Sequence, residues 1–374
     1  MNAIVPIIKP VSTACNITCG YCYHSWNRAC QLNTMSDEIL GRVLGEIAKL
    51  DQPMTRIIWH GGEPTLAGVP FFQKAVNVYA AASKERYVHS LQTNGTTINK
   101  AWVSFLKRSG FHVGISIDGP KELHNANRTF RNHQGTFDRV MRSVHDLLEA
   151  GVPTGVVCVV TKTNAAYAKE ILDFFCTHGL TRLNFSPAAD FDAEGSLRPY
   201  SLSPIEWGHF LVDLFDAWLE KDNPNIHVQL IDSFVSTLIG GEQLVCTCRQ
   251  DCTNFLSFDN TGDVYFCGRM LGDADFKIGC VANAPLRDLL QSRKLSLIRN
   301  NVTTLNSACA VCSIKSFCGG GCPSHRFNVE HADFSCRYYF CESTRMIVNR
   351  IQSKLSRFLE TSSTEEHLEK WRPA

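Results

Sequence analysis

Seventeen cysteines in a chain of 374 residues are the feature that most limits what this protein can be. The N-terminus lacks the basic-then-apolar pattern of a secretory signal, and no apolar run approaches the roughly 18 residues that a membrane-spanning helix needs. We therefore expect a cytoplasmic protein that does not contact membranes. Thiols stay reduced in the cytoplasm, so metal binding or redox chemistry explains these cysteines better than a disulfide framework does. The net charge of +1 gives no reason to expect nucleic-acid binding.

The cysteines are unevenly placed and suggest two domains. Three lie between Cys15 and Cys22, and eleven lie between Cys246 and Cys341. Before Cys246, β-branched strands alternate with amphipathic helices, which favours parallel strands joined by right-handed crossovers. The predicted strands span residues 4–9, 56–60, 87–92, 112–117, 154–160 and 182–185, and the helices about 36–50, 69–83, 100–109, 136–150 and 166–178. This pattern predicts an α/β fold, a partial (β/α)6 barrel of the TIM type.

We divide the chain accordingly into four parts. Residues 1–225 form the barrel, 226–245 a bridging helix, 246–350 a cysteine-rich domain, and 351–374 a C-terminal helix with a solvated tail. Polar segments follow the ends of the first four strands: the Cys15 loop, His60 to Pro64, Thr93 to Gly95, and Ser116 to Gly119. Barrel enzymes place their active sites on that face, so we expect these segments to meet there.

The first cysteines, Cys15, Cys19 and Cys22, have C-x3-C-x2-C spacing on a single loop. Three thiols can wrap one metal centre but leave one position open. A structural zinc site would need a fourth ligand, for which His24 is near enough in sequence. A [4Fe-4S] cluster held by three thiolates would instead leave one iron free to bind a substrate or cofactor.

The triplet with an aromatic residue before its last cysteine, followed by Gly61-Gly62-Glu63-Pro64 after the second strand, resembles the radical S-adenosylmethionine (SAM) superfamily over residues 5–190. The resemblance implies that SAM chelates the open iron and is cleaved to a 5′-deoxyadenosyl radical, so that the cofactor supplies the reactivity and the protein the placement. It also implies the SAM contacts, with the Gly61 to Pro64 segment holding the methionine amino group. The other implied contacts are Tyr21, Asn94, Ser116 at the ribose, Asp118, and Arg128 at the carboxylate, with Arg131 as its rival. Asp118 could equally be a turn former.

The C-terminal array resembles the SPASM extension of radical SAM peptide maturases, which binds two auxiliary [4Fe-4S] clusters. Zinc ribbons are the alternative, but they need only four ligands. Carried over by position, the first auxiliary cluster takes Cys246, Cys252, Cys267 and Cys322, and the second takes Cys309, Cys312, Cys318 and Cys341, with Cys336 as runner-up for the last place. Cys30, Cys158, Cys176, Cys248, Cys280 and Cys336 remain over. We expect Cys158 to be a small core residue, and Cys30, Cys248 and Cys280 to be bystanders rather than residues near the active site.

By pattern the chain looks like the anaerobic sulfatase maturases, which oxidise a client Cys or Ser to formylglycine. Their cysteine at the Cys267 position is followed by an aspartate that acts as general base, whereas this chain has Gly268. Asp273 or Asp275 would have to replace that base, and His60 stands where the family usually has Gln. Both departures weaken this interpretation and leave it as the alternative.

The sequence analysis therefore favours a peptide maturase that installs an intramolecular crosslink, a carbon-carbon cyclophane before a thioether. With only fourteen residues before Cys15, we expect no separate leader-peptide-binding domain. The expected partners are a precursor peptide and an electron donor such as flavodoxin or ferredoxin. An alternative of another class is a non-catalytic iron-sulfur electron carrier, which would not need the SAM-binding residues.

Overall fold

The computed structural model describes residues 3–24, 31–79, 86–192, 196–249, 252, 254–326 and 334–361. The chain divides into two compact units. The first comprises residues 1–116, 127–154 and 253–300, and the second 117–126, 155–252 and 301–374. Among the described residues, no helix is long and apolar enough to cross a membrane.

The first unit is built on a mostly parallel sheet. Its strands are β1 (Val5–Ile8), β3 (Thr55–Trp59), β4 (Tyr87–Thr93), β5 (His112–Ser116), β10 (Phe255–Phe258), β11 (Asp263–Phe266) and β12 (Lys277–Cys280). Their order is β12-β11-β10-β1-β3-β4-β5, with only the two β11 pairings antiparallel. Two short strands, β2 (Ile17–Cys19) and β6 (Arg128–Phe130), form a separate antiparallel pair.

Amphipathic helices cover this sheet. They are α1 (Asp37–Ala48), α2 (Gly68–Val78), α3 (Lys100–Arg108), α5 (Phe137–Glu149), α9 (Leu286–Leu290) and α10 (Arg293–Thr303). Side-chain caps begin two of them, because Ser36 accepts a hydrogen bond from Ile39 N and Asn99 accepts two from the first turn of α3. Trp59 of β3 and Phe72 of α2 are fully buried, with ring centroids 5.0 Å apart. This aromatic contact lies in the core between strand and helix.

The second unit continues the strand-helix alternation. Its parallel strands are β7 (Thr154–Val160), β8 (Arg182–Pro187) and β9 (His227–Val228), and its helices are α4 (Lys121–Asn127), α6 (Ala168–Thr177), α7 (Pro204–Lys221), α8 (Gln229–Leu238), α11 (Lys315–Cys318) and α12 (Cys341–Thr361). A capping box of Ser203 and Glu206 begins α7. α7 packs on α12, where Arg350 donates two hydrogen bonds to the Asp216 carboxylate at 2.9 and 2.6 Å.

The predicted α/β fold with parallel strands is confirmed. Most predicted elements agree with the structure within about two residues, but the helix predicted over 69–83 ends at Val78, and residues 80–85 lie outside the described part of the chain. Two features were not predicted. β10, from the cysteine-rich half of the sequence, pairs with β1, and β2 pairs with β6. Both pairings join segments far apart in sequence, which local periodicity cannot reveal.

Candidate active site

The cysteine triplet lies in the segment that follows β1, and Cys19 is the last residue of β2. The thiols of Cys15, Cys19 and Cys22 are all half-buried, and Cys22 N donates to Cys19 O at 3.2 Å. The Asn94 amide nitrogen lies 3.7 Å from Cys15 Sγ, at the end of β4. The structure thus places the triplet beside the residue that follows the third predicted strand.

The Gly61-Gly62 pair packs directly against the chain that leads into the triplet. Gly62 N donates to Ser12 O at 2.9 Å, and Glu63 N donates to Ala14 O at 2.8 Å. A Cβ at Gly62 would lie 2.0 Å from Ala14 O, and Gly61 has φ +121°. Only glycine fits these positions. The glycines permit a close approach between two segments of this chain.

Glu63 is completely buried, and both of its carboxylate oxygens accept hydrogen bonds. One carboxylate oxygen accepts from Thr65 N at 3.0 Å and from the hydroxyls of Thr65 and Thr93, and the other accepts from Asn94 N at 2.7 Å. Burial raises the pKa of Glu63, while these hydrogen bonds oppose the rise. The side chain joins the ends of β3 and β4 and so holds the Gly61 to Pro64 segment in place.

The two candidate arginines both reach the triplet loop but differ in exposure. The β2–β6 pairing sets Cys19 opposite Arg128, whose guanidinium lies 4.0 Å from Cys19 Sγ and 5.4 Å from the Tyr21 ring centroid. Arg128 is 5% exposed. Arg131 is exposed and donates to Cys15 O at 3.1 Å. A buried guanidinium beside the triplet suits a carboxylate ligand better than an exposed one does.

A cavity opens next to Cys15. Its volume is about 320 Å³, and its lining consists of Ala14, Cys15, Asn16, Gln31, Leu32, Leu66 and Arg131. This volume is at the lower end of the range for small-molecule sites. The cavity therefore offers a place for a cofactor beside the triplet.

Ser116 and Asp118, predicted at the end of the fourth strand, have described contacts within the protein. In the first unit, Gln92 donates to Ser116 Oγ at 3.0 Å. In the second unit, Asp118 is fully buried and accepts from Val159 N at 3.0 Å. The Asp118 carboxylate thus ties residue 118 to β7, a role that suits the turn-former interpretation. The contact of Asp118 with SAM stays a prediction.

The turn after β11 carries Cys267 and contacts Lys9, a residue that the sequence analysis missed. Cys267 has φ +64°, an uncommon conformation for a residue other than glycine. Lys9, at the end of β1, is completely buried and donates to Gly268 O at 2.7 Å, and its Nζ lies 3.4 Å from His24 Nε2. Burial lowers the pKa of Lys9 to about 7, although the Cys267 thiol opposes this. The sequence signal that could have identified Lys9 is the position of a lysine directly after an apolar strand.

His60 also lies in this region. Its Nδ1 accepts from Gly61 N at 2.6 Å. Burial, followed by the charge of Lys9, lowers the pKa of His60 to about 3, so the ring is neutral at physiological pH. Arg269, two residues after Cys267, places its guanidinium 5.7 Å from the Tyr23 ring centroid. The surroundings of Gly268 therefore carry the basic side chains of Lys9 and Arg269.

Asp273 and Asp275, the substitutes suggested for that aspartate, are exposed. The Asp273 carboxylate accepts from Asp275 N at 2.9 Å and caps a short turn. Their catalytic role stays a prediction.

The second unit gathers four cysteines around one cavity of about 270 Å³. The cysteines are Cys309, Cys312, Cys318 and Cys341, the set predicted for the second auxiliary cluster. Cys336, the runner-up to Cys341, is not among the residues that line the cavity. Burial raises the pKa of Cys318 to about 11, and the neighbouring thiol of Cys341 adds to the rise. Four soft sulfur donors around one cavity suit an iron-sulfur cluster.

The set predicted for the first auxiliary cluster is divided between the units. Cys267 belongs to the first unit, whereas Cys246, Cys252 and Cys322 belong to the second. Cys248, one of the cysteines left over, is buried, and burial raises its pKa to about 12. The thiols of Cys318, Cys246 and Cys322 raise this pKa further, so Cys248 interacts with members of both predicted ligand sets.

The remaining cysteines differ in their surroundings. Cys158 is fully buried in β7, as expected for a small core residue. Cys176 and Cys280 are half-buried, and burial raises the pKa of both, which disfavours the reactive thiolate form. Cys30 lies outside the described residues.

Comparisons with known proteins identify the family of this chain. A Radical SAM superfamily profile matches residues 10–175. The chain is similar to a serine-type anaerobic sulfatase-maturating enzyme from Bacteroides thetaiotaomicron, with 29% identity over 86% of this chain and 83% of the relative. It is 30% identical to a cysteine-type anaerobic sulfatase-maturating enzyme from Clostridium perfringens, over 90% of this chain and 93% of that protein.

The fold is similar to a solved structure described as native anSMEcpe with bound AdoMet and Cp18Cys peptide. The TM-score is 0.87 at 28% identity, and the match covers 95% of this chain and 98% of the other. The full-length match extends beyond the superfamily region and includes the cysteine-rich half. The chain therefore belongs to the radical SAM superfamily, in the family that contains the anaerobic sulfatase-maturating enzymes, and it is an enzyme that binds SAM and an iron-sulfur cluster.

Proposed function

We propose that this radical SAM maturase oxidises a cysteine or serine of a peptide or protein client to formylglycine. The observation that carries the proposal is the end-to-end similarity to sulfatase-maturating enzymes. It favours the activity that the sequence analysis put second over the crosslinking activity that it put first. Membership in an enzyme family also removes the reason to consider a non-catalytic electron carrier.

The proposed oxidation removes two hydrogens from the client residue. A serine loses one from its β-carbon and one from its hydroxyl, whereas a cysteine passes through a thioaldehyde that water converts to the aldehyde and hydrogen sulfide. When bound, SAM and the iron-sulfur cluster supply the radical that takes the hydrogen atom from carbon. The second electron needs a one-electron acceptor, and the proton needs a base or water. The protein must hold SAM and the client residue together.

The triplet Cys15, Cys19 and Cys22 would hold the cluster that binds SAM. The donor set fits, since three half-buried thiols on one loop leave an iron position open. For the carboxylate of SAM we propose Arg128, because it is buried beside Cys19. The other proposed SAM contacts are Tyr21, Gly61, Gly62, Glu63, Pro64, Asn94, Ser116 and Asp118.

Two further [4Fe-4S] clusters complete the proposed cofactor set, with the ligands given in the sequence analysis. The cavity lined by Cys309, Cys312, Cys318 and Cys341 supports the second of them. Anaerobically reconstituted protein should contain about 12 iron atoms per chain. Replacing all three triplet cysteines by alanine should leave about 8 and abolish SAM cleavage. A triple variant that binds no iron, or that still cleaves SAM, would contradict the ligand sets.

A second candidate, formation of an intramolecular crosslink in a peptide, is favoured by Gly268. The proton acceptor of the related maturases is missing at that position, and the neighbouring Lys9 amine is completely buried and holds Gly268 O. A base must reach the proton that it removes, so Lys9 does not replace the aspartate at the client. Joining two residues of a peptide forms a new bond within the peptide, and no aldehyde is formed.

One experiment separates the two candidates. The reconstituted enzyme is incubated with SAM and dithionite, and with a sulfatase-derived peptide carrying cysteine or serine or with a small peptide encoded beside the gene. Loss of two hydrogens does not discriminate, because serine oxidation and crosslinking share it. A hydrazide probe should label the sulfatase peptide, and tandem fragmentation should be normal between all residues. An unlabelled product in which one stretch of the peptide resists fragmentation would show that the enzyme forms a crosslink and not formylglycine.

A further inference from the structure

The surface around the four-cysteine cavity of the second unit is cationic. Besides the cysteines, its lining includes Lys315, Arg337 and Arg345, which we call the cationic rim, and it includes no carboxylate from the described part of the chain. Arg345 Nη2 lies 3.8 Å from Cys312 Sγ. One carboxylate, Glu342, lies 4.0 Å from Arg345 outside the lining and offsets part of the charge.

Acidic residues are also missing from the sequence on both sides of Lys315. No aspartate or glutamate occurs between Asp288 and Glu330. Of the five lysines and arginines in this stretch, Lys315 belongs to the rim, Arg326 is buried, and the other three belong to the first unit. An excess of one sign around a site steers oppositely charged partners toward it.

The cysteines of this cavity lie close to the protein surface. Val311, between Cys309 and Cys312, is 90% exposed, and both cysteines are half-buried. Arg337 is exposed as well. A cluster at this position would be held by four cysteines, which leaves no iron open for a substrate. Its proximity to the surface therefore suits electron exchange better than chemistry on a client.

We propose that the cationic rim, together with the Val311 loop, is the docking surface for a small acidic one-electron carrier protein of the flavodoxin or ferredoxin class. This inference rests on the proposed function, since it assumes a cluster in the four-cysteine cavity. Electron-transfer complexes are small and transient, and charge complementarity determines their rate of formation. The reduced carrier gives one electron to the cluster without forming a bond, so that the carrier is oxidised and the cluster is reduced. An acidic client peptide is disfavoured as the occupant because no open iron lies beneath this surface.

The first test uses reconstituted holoenzyme and a bacterial flavodoxin. The double variant Lys315→Glu/Arg337→Glu reverses two rim charges and leaves Arg345, which contacts a proposed ligand, in place. The charge-matched control is Lys162→Glu/Arg182→Glu, two exposed residues of the same unit. We expect the rim variant to bind flavodoxin about tenfold or more weakly and with a smaller salt dependence, and the control to bind like the parent. Equal binding by the two variants would overturn the proposal.

The second measurement is the ratio of flavodoxin-driven to dithionite-driven SAM cleavage. Dithionite needs no docking surface, so the ratio should fall about tenfold in the rim variant and stay constant in the control. If the parent enzyme cleaves no SAM with dithionite, the proposed function fails, whereas an unchanged ratio in the rim variant contradicts only the docking surface. If the rim variant loses iron, Lys315→Gln/Arg337→Gln provides a milder change with the same expected direction.

A third measurement leaves the enzyme unmutated. A carbodiimide joins lysine amines to carboxylates in contact, so the parent complex with flavodoxin should yield crosslinked peptides that contain Lys315. The exposed Lys162 and Lys169 serve as internal controls. Crosslinks confined to the controls, or displacement of flavodoxin from the rim by an acidic client peptide, would refute the carrier as occupant.

Discussion

If Arg128 binds the carboxylate of SAM, replacing it should weaken SAM binding. Arg131 provides a matched control in the same chain. Arg128→Gln removes a guanidinium that is 5% exposed and lies 4.0 Å from Cys19 Sγ. Arg131→Gln removes a guanidinium from the same loop region, but this side chain is exposed and donates to Cys15 O. The two variants lose the same charge at different depths.

The difference in burial sets the expected magnitude. Truncating one partner of a buried charge pair costs about 2–5 kcal/mol, which corresponds to about 30-fold to 4,000-fold in the dissociation constant of SAM. An exposed ion pair contributes about 0–1 kcal/mol, or less than about fivefold. Arg128→Lys should give an intermediate value, because the charge remains while the planar fork that pairs with a carboxylate is lost.

The assay is anaerobic calorimetric titration of reconstituted enzyme with SAM. Iron and sulfide content is measured for each variant, since Arg128 is also close to a proposed cluster ligand, and only preparations with equal content are compared. Equal dissociation constants for Arg128→Gln and Arg131→Gln would refute the reasoning from burial. A larger loss in Arg131→Gln would transfer the carboxylate contact to the residue that lines the cavity beside Cys15.

Three further predictions concern buried polar groups. Glu63→Gln sets an amide N–H against a donor and should lower the free energy of unfolding by about 1–3 kcal/mol; an unchanged melting temperature would contradict this. Burial lowers the pKa of His89 from 6.5 to about 4, so stability is lost as pH falls from about 6.5 toward 4. The loss is about 1.4 kcal/mol between about pH 7.5 and 5.5. His89→Gln, which can still accept from Trp59 Nε1, should reduce the difference between thermal melts at the two pH values by about that amount, while the contribution of His60 remains. Arg326 donates to three backbone carbonyls while 3% exposed, so Arg326→Met should cost about 3 kcal/mol or more, read as a lower melting temperature.

The sequence by itself determined the fold class and the superfamily. The alternation of strands and helices is encoded in side-chain periodicity over five to fifteen residues, and the strand over Thr154–Val160 has the predicted bounds. The spacing of Cys15, Cys19 and Cys22 is local too, because three ligands on one loop can reach one metal centre whatever the rest of the chain does. Such features can be recognised in the sequence without knowledge of long-range contacts.

The tertiary structure alone decided which distant residues meet. Nothing in the local pattern pairs Cys19 with Arg128, yet the β2–β6 register does so and distinguishes a buried arginine from an exposed one three residues later. Lys9 became part of the site only because β10 pairs with β1 and brings Gly268 to its amine. Contacts between segments more than a hundred residues apart depend on packing and hydrogen bonding of the whole fold, and periodicity along the chain carries no record of them.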